Sequence, residues 1–173
     1  MHKQWKVIEL KIARYLGGDR NPITGRTRNQ GTPDIGKAKE PLESLPDADA
    51  FISCPNYQDI LKGAIFDCYT FEIKHRKLLP KWLVELQIIA TKQGVHIQFS
   101  DFLLTTLYNF RNSVFLGKLN LIPAEQEVKL PEWILDAKDQ AEQTGKTPYY
   151  VVVLHGKNQK IRDSIVLIFE GNK

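Results

Sequence analysis

The sequence predicts an α/β domain in which a central mixed β-sheet is flanked by helices. Three observations predict it. An N-terminal segment has apolar residues at helical spacing, three later segments are rich in β-branched and aromatic residues, and helical patterns separate them. At 173 residues the chain fits a single domain with a real hydrophobic core.

The first helix is expected over residues 5–16, where Trp5, Ile8, Ile12 and Leu16 recur with Val7 and Tyr15, and the Gly17-Gly18 pair stops it. Residues 19–32 are polar and rich in Gly and Arg, which predicts a loop. Pro33-Asp34-Ile35 opens a short strand. Pro41, Pro46 and Pro55 make residues 36–63 mostly irregular, with a short strand expected at 48–53. Residues 64–75 (AIFDCYTFEIKH) carry the clearest strand pattern. A helix follows over 80–93, with Pro80 in its first turn. Residues 95–99 suit a strand, and Ser100 caps a helix over 101–110. A further helix is expected over 131–143, then strands at 149–154 and 164–169. The apolar, aromatic stretch 83–129 reads as an insertion into this core, used as buried core, as a dimer interface or as a wedge.

Composition removes several classes. No apolar run reaches the roughly 18 residues of a membrane helix, and residues 1–6 lack the apolar core of a signal peptide. A cytoplasmic protein, of a cell or of a phage-infected host, is the expectation. Cys54 and Cys68 show no CxxC spacing and His2, His75, His96 and His155 are scattered, so neither a disulfide framework nor a zinc site is indicated. The net charge of +4 is modest, but its distribution is uneven. Basic residues gather in the first forty positions and at Lys74, Arg76, Lys77 and Lys81, whereas acidic ones collect over 125–142. Such asymmetry suits an anionic partner.

The chemistry-bearing segment is Phe71-Glu72-Ile73-Lys74-His75. Strand alternation points Phe71 and Ile73 to the core and puts Glu72 and Lys74 together on the other face. A carboxylate between apolar strand neighbours needs a nearby cation to offset lost hydration. Asp34, fixed by Pro33, can meet Glu72 across paired strands. Two carboxylates and the Ile73 backbone carbonyl suit Mg²⁺, for which Mn²⁺ can substitute, with several waters retained. Glu9, mid-helix, is placed to reach the same ion directly or through water. Asp47 and Asp49, after a second Pro-Asp pair, stand as alternatives to Asp34.

The order of these pieces (WKVIELKIARYLGG at 5–18, GTPDI at 31–35, FEIKHRKLLPKW at 71–82 and WILDAKDQAEQTGKTPYYVVVL at 133–154) resembles the PD-(D/E)xK nuclease superfamily, and within it the Holliday junction resolvases of archaeal type and related phage and bacterial proteins. The resemblance implies a restriction-endonuclease-like core, metal coordination by Glu9, Asp34 and Glu72, and action of Lys74 on the attacking water. It further implies an endonuclease acting on branched DNA, and a homodimer to cut two strands symmetrically. Arg20, Arg26 and Arg28 in the loop beside the metal, with His75, Arg76 and Lys77 after the catalytic strand, are the expected DNA contacts. The alternatives are a restriction or repair nuclease on linear duplex, a catalytically silent nucleic-acid-binding module of the same fold, and a scaffold whose insertion carries the function.

Overall fold

The computed structural model describes residues 4–21, 33–92, 98–111, 132 and 149–170. In chain order they form helix α1 (Gln4–Tyr15), strand β1 (Gly18–Arg20), strand β2 (Ile35–Lys37), helix α2 (Tyr57–Leu61), strand β3 (Tyr69–Arg76), helix α3 (Lys81–Lys92), helix α4 (Phe99–Arg111), strand β4 (Tyr149–Gly156) and strand β5 (Ile165–Glu170). The expected α/β domain with a mixed sheet is present. β3 pairs with β4 in parallel, from Tyr69 opposite Tyr149 to Arg76 opposite Gly156, and β4 pairs with β5 antiparallel. Among the described residues the sheet order is β3-β4-β5, while β1 and β2 form a separate two-stranded ribbon.

β4 is central because its run Tyr150-Val151-Val152-Val153-Leu154 is apolar on both faces, as a strand covered on both sides must be. On one face Val151 and Val153 join Phe71, Ile73 and Val166 under α1 and α4. On the other, Tyr150, Val152, Leu154, Ile165 and Leu167 gather around Leu83 of α3. α1 contributes Ile8, Ile12 and Ala13 to the larger cluster, but Trp5 and Val7 lie half-exposed on its outer side.

The segment expected as an insertion is core in part where it is described: Leu83 and much of α4 are buried, whereas Val84, Ile88, Tyr108 and Phe110 are exposed. α4 buries Phe99, Phe102, Leu103 and Leu107 in the main cluster, and the Phe99 ring stacks 5.3 Å from that of Tyr15. Replacing Phe99 by Ala is therefore expected to cost about 3–5 kcal/mol. Urea unfolding measures it, and a loss below about 1 kcal/mol, ordinary for a surface site, would remove α4 from the core. Residues 93–97 and 112–129 lie outside the described residues, as does the helix expected over 131–143 apart from Glu132.

Four local expectations are corrected. Residues 19–32 are not all loop, because Gly18–Arg20 pairs with Ile35–Lys37, Arg20 standing opposite Ile35. Residues 48–53 hold a helical turn at Ala48–Ala50 in place of a strand, entered through Asp47 at φ 54°. The strand pattern read from residue 64 begins only at Tyr69, since Ala64–Asp67 coils into a helical turn after Gly63 at φ 69°. Phe99 is helical, not the end of a strand. In each case the side-chain pattern of a short segment fits more than one backbone path, and turn geometry or cross-strand pairing decided.

Candidate functional site

Just past the end of α1, Gly17, at a φ of 81°, turns the chain sharply into β1. That turn brings Arg20, the last residue of β1, back alongside α1. Its Nε donates to Glu9 Oε2 at 2.6 Å, an ion pair in which the Glu9 side chain is 6% and that of Arg20 22% exposed. The guanidinium also lies 5.3 Å from the centre of the Trp5 ring. The next residue, Asn21, holds the start of β2: its backbone N–H donates to the Asp34 carbonyl at 2.9 Å and its side chain to the Pro33 carbonyl at 2.8 Å. Nothing in the local sequence pattern marks Asn21, because its role depends on the β1–β2 pairing.

These bonds deliver the buried Asp34 to the edge of β3 that faces away from β4. There Oδ2 of Asp34 accepts the backbone N–H of Ile73 at 3.0 Å. Because the N–H and C=O of a strand residue point to the same edge, the Ile73 carbonyl is directed to the Asp34 side as well. The side chain of Glu72, 8% exposed, is bonded by the Lys74 ammonium at 3.1 Å, as expected for residues two apart on one strand face. Asp47 and Asp49 stand exposed on their helical turn, so the carboxylate brought to β3 is Asp34.

The three carboxylates approach β3 from different directions. Glu9 comes from the helix on the main-core face and ends on Arg20. Asp34 is at the strand edge. Glu72 lies on the face shared with Val152 and Leu154. Among the described residues no three Asp, Glu, His or Cys side chains stand close enough together to hold a metal ion. Comparisons with family models, curated proteins and solved structures find no match.

Asp34, Glu72 and the Ile73 carbonyl are an oxygen-only donor set, and Mg²⁺ is commonly held by one or two carboxylates with water completing its shell. The chemistry of these oxygen donors suits that ion. Nearby, Arg14, Arg20, Asn21, Lys37 and Lys39 line a cleft of about 730 Å³ together with Asp19, Glu40 and Glu43.

Of the expected DNA contacts, Arg20 lines this cleft, and Lys77 is exposed just beyond β3. Arg26 and Arg28 lie outside the described residues. Arg76 donates from Nη1 to the His75 carbonyl at 3.1 Å, and its own carbonyl accepts Lys157 N–H at 3.0 Å.

His75 is engaged with His155. Their Nδ1 atoms are 2.9 Å apart and their ring centres 5.0 Å, a difference close to the two ring radii together, so the nitrogens face each other nearly in line. The rings meet edge to edge, despite a small interplanar angle of 28°. Nε2 of His155 is 2.7 Å from the Gln159 carbonyl, which only accepts, and it must therefore carry the proton. Neutral His155 then accepts at Nδ1, His75 donates from Nδ1, and Nε2 of His75 is a bare lone pair. In that form His75 offers no proton to a phosphate oxygen.

Burial lowers the pKa of both rings. Arg76 adds to the effect at His75, and the charges of His75 and Lys11 add to it at His155, against the opposing hydrogen bonds. A histidine whose folded pKa lies below its unfolded value favours folding when neutral. Its contribution is complete above the ordinary value of about 6.5 and is lost as pH falls below it. Denaturant stability of the protein is expected to decline from near pH 6.5 downward, and less steeply in His155→Gln. An equal slope in the two proteins would show that the pair does not govern the acid limb.

Proposed function

We propose that this chain is a divalent-metal-dependent endonuclease of the PD-(D/E)xK kind, with a restriction-endonuclease-like core, hydrolysing phosphodiester bonds of DNA in the cytoplasm of a cell or phage-infected host. The observation that carries the reading is the placement of Asp34 against the Ile73 backbone, one residue from a Glu72 that shares its strand face with Lys74. A branched substrate and a homodimer rest on the sequence resemblance to Holliday junction resolvases alone.

Asp34, Glu72 and the Ile73 carbonyl would hold Mg²⁺ or Mn²⁺. When bound, that ion supplies Lewis acidity toward the phosphoryl oxygen and a lowered pKa for its bound water. Lys74 is 21% exposed at its side chain and has more than one ammonium proton to give. It keeps one on Glu72 and directs another to the attacking water or to the charge developing on the phosphate. Arg20, with Lys37 and Lys39 in the same cleft, positions the anionic backbone.

Labelled four-way junction, linear duplex and single strands, incubated with the pure protein in Mg²⁺, Mn²⁺ or EDTA, test this. Cleavage that needs the cation is the expected result, and preference for the junction supports the resolvase-like substrate. Failure to cut any of the three overturns the nuclease reading.

One observation favours a second reading, a nucleic-acid-binding module of the same fold without turnover: Glu9 is neutralised by Arg20 and Glu72 by Lys74, with no three-carboxylate cluster among the described residues. Binding of the junction without cleavage in every cation would select it.

A further inference from the structure

β3 and β4 run in parallel and end side by side, with Arg76 opposite Gly156. Both onward connections therefore leave from one end of the sheet, where the Leu79 side chain lies beside Gly156. Open α/β sheets commonly bind ligands outside the carboxyl ends of their parallel strands. Residues 76–80 and 157–164 at this end hold Arg76, Lys77, Lys157, Lys160 and Arg162 against Asp163 alone. Lys11 of α1 adds its charge close enough to act on His155. Lys77, Lys157 and Lys160 are exposed, and among the described residues none of the three is in an ion pair. The turn that carries two of them is fixed. Asn158 takes a φ of 64°, Gln159 Oε1 accepts the Gly156 N–H at 2.9 Å, and Gln159 Nε2 donates to the Asp163 carbonyl at 2.7 Å. A polyanion meeting these lysines has no loop to order.

We infer that this end of the sheet is a second nucleic-acid contact, in which Lys157 and Lys160 of the β4–β5 connection and Lys77 of the β3–α3 connection bind backbone phosphates without reading sequence. The inference rests on the nucleic-acid reading above and needs neither the metal nor turnover. The sequence pattern points to Lys77; only the pairing of β3 with β4 adds Lys157 and Lys160. Scale supports the assignment. Arg76 lies three residues beyond Ile73, about 10 Å along β3. A duplex whose major groove alone is about 12 Å wide spans from the Asp34 edge to this turn. Like charges held together on a fixed turn repel one another in the free protein, and a row of phosphates relieves that repulsion. An anionic membrane suits the same cations, but these connections expose one large apolar side chain among the described residues, Leu78 at 83%. One leucine buries far less than a fatty-acyl chain, which by itself anchors only marginally. His75 takes no part, because its Nδ1 is turned onto His155.

Anisotropy of a labelled linear duplex titrated with the full chain in EDTA, over a series of salt concentrations, tests this apart from cleavage. Each phosphate contact contributes about 0.9 to the slope of log affinity against log salt. The double variant Lys157→Gln, Lys160→Gln should therefore lower that slope by about 2 and weaken binding at low salt, and Lys77→Gln should lower it by about 1. An unchanged Tm verifies that the fold is kept, and should the double variant melt early, Lys77→Gln alone decides. A slope equal to the parent's overturns the inference and leaves the nuclease reading intact. A parent that binds no DNA overturns both. The expected slope losses in a protein that cuts nothing with Mg²⁺ keep this surface and remove the catalytic reading. DNA binding unchanged in the lysine variants, with loss of binding to phosphatidylserine-containing vesicles, would assign the surface to a membrane instead.

Discussion

Glu72→Gln is expected to abolish phosphodiester cleavage, lowering the single-turnover rate by about 10³-fold or more, while junction binding survives. In the proposed mechanism the carboxylate would supply negative charge to the cation, and several kcal/mol of transition-state stabilisation would pass through that contact. Its neighbour Lys74 is 3.1 Å away, and Lys74→Gln should cost about 10²–10³-fold through lost charge stabilisation at the phosphate. Asp34→Asn is the sharper companion. The amide oxygen can still accept the Ile73 N–H, so that bond to the strand edge is kept while the negative charge is removed. Cleavage should therefore fall in Asp34→Asn with little change in melting temperature. Wild-type cutting rates in Glu72→Gln and Lys74→Gln would show that the catalytic assignment is wrong.

Gly17→Ala is expected to be the most damaging small substitution for stability. An added Cβ would lie 1.5 Å from the Ile60 carbonyl oxygen and 2.7 Å from its carbon, and both are backbone atoms that cannot swing aside. The φ of 81° adds strain for any L side chain. Steric overlap and strain together should cost about 3–5 kcal/mol, a large part of the 5–15 kcal/mol that holds a domain of this size. A fall in Tm of about 10 °C or more follows. Gly156→Ala is the control, since its nearest contact would be Leu79 at an ordinary 3.6 Å. Equal Tm values for the two variants would show that the close approach of the α1 terminus to Ile60 does not constrain the fold. The consequence reaches the site, because Gly17 aims β1 and thus Arg20 and Asn21.

Much of the scaffold was legible from local pattern. Trp5-to-Leu16 periodicity with the glycine stop gave α1, the apolar run 149–154 gave a buried strand, and the alternation in Phe71-Glu72-Ile73-Lys74 put Phe71 and Ile73 in the main core with Glu72 and Lys74 on the opposite face. What failed were short segments in which the side-chain pattern is compatible with more than one backbone path. The run Ala64-Ile65-Phe66-Asp67 has strand composition, yet the left-handed Gly63 and the packing of Ile65 coil it into a turn. Gly18-Asp19-Arg20 has loop composition, and becomes a strand only because Ile35-Gly36-Lys37 lies alongside to bond it.

By itself the sequence determined which residues are buried on which period: the helical stripe of α1, the two-faced apolar β4, and a Glu and a Lys two apart on one strand face. Those are properties of neighbours along the chain, set by backbone geometry and hydrophobic burial. Only the tertiary structure decided which charges meet. It selected Asp34 over Asp47 and Asp49 for the edge of β3, joined Glu9 to Arg20, and set His75 against His155. Ion pairs and hydrogen bonds between residues distant in sequence depend on distances of a few ångströms, and such distances are fixed only when the turn at Gly17 and the packing of α1 and β2 around β3 are in place.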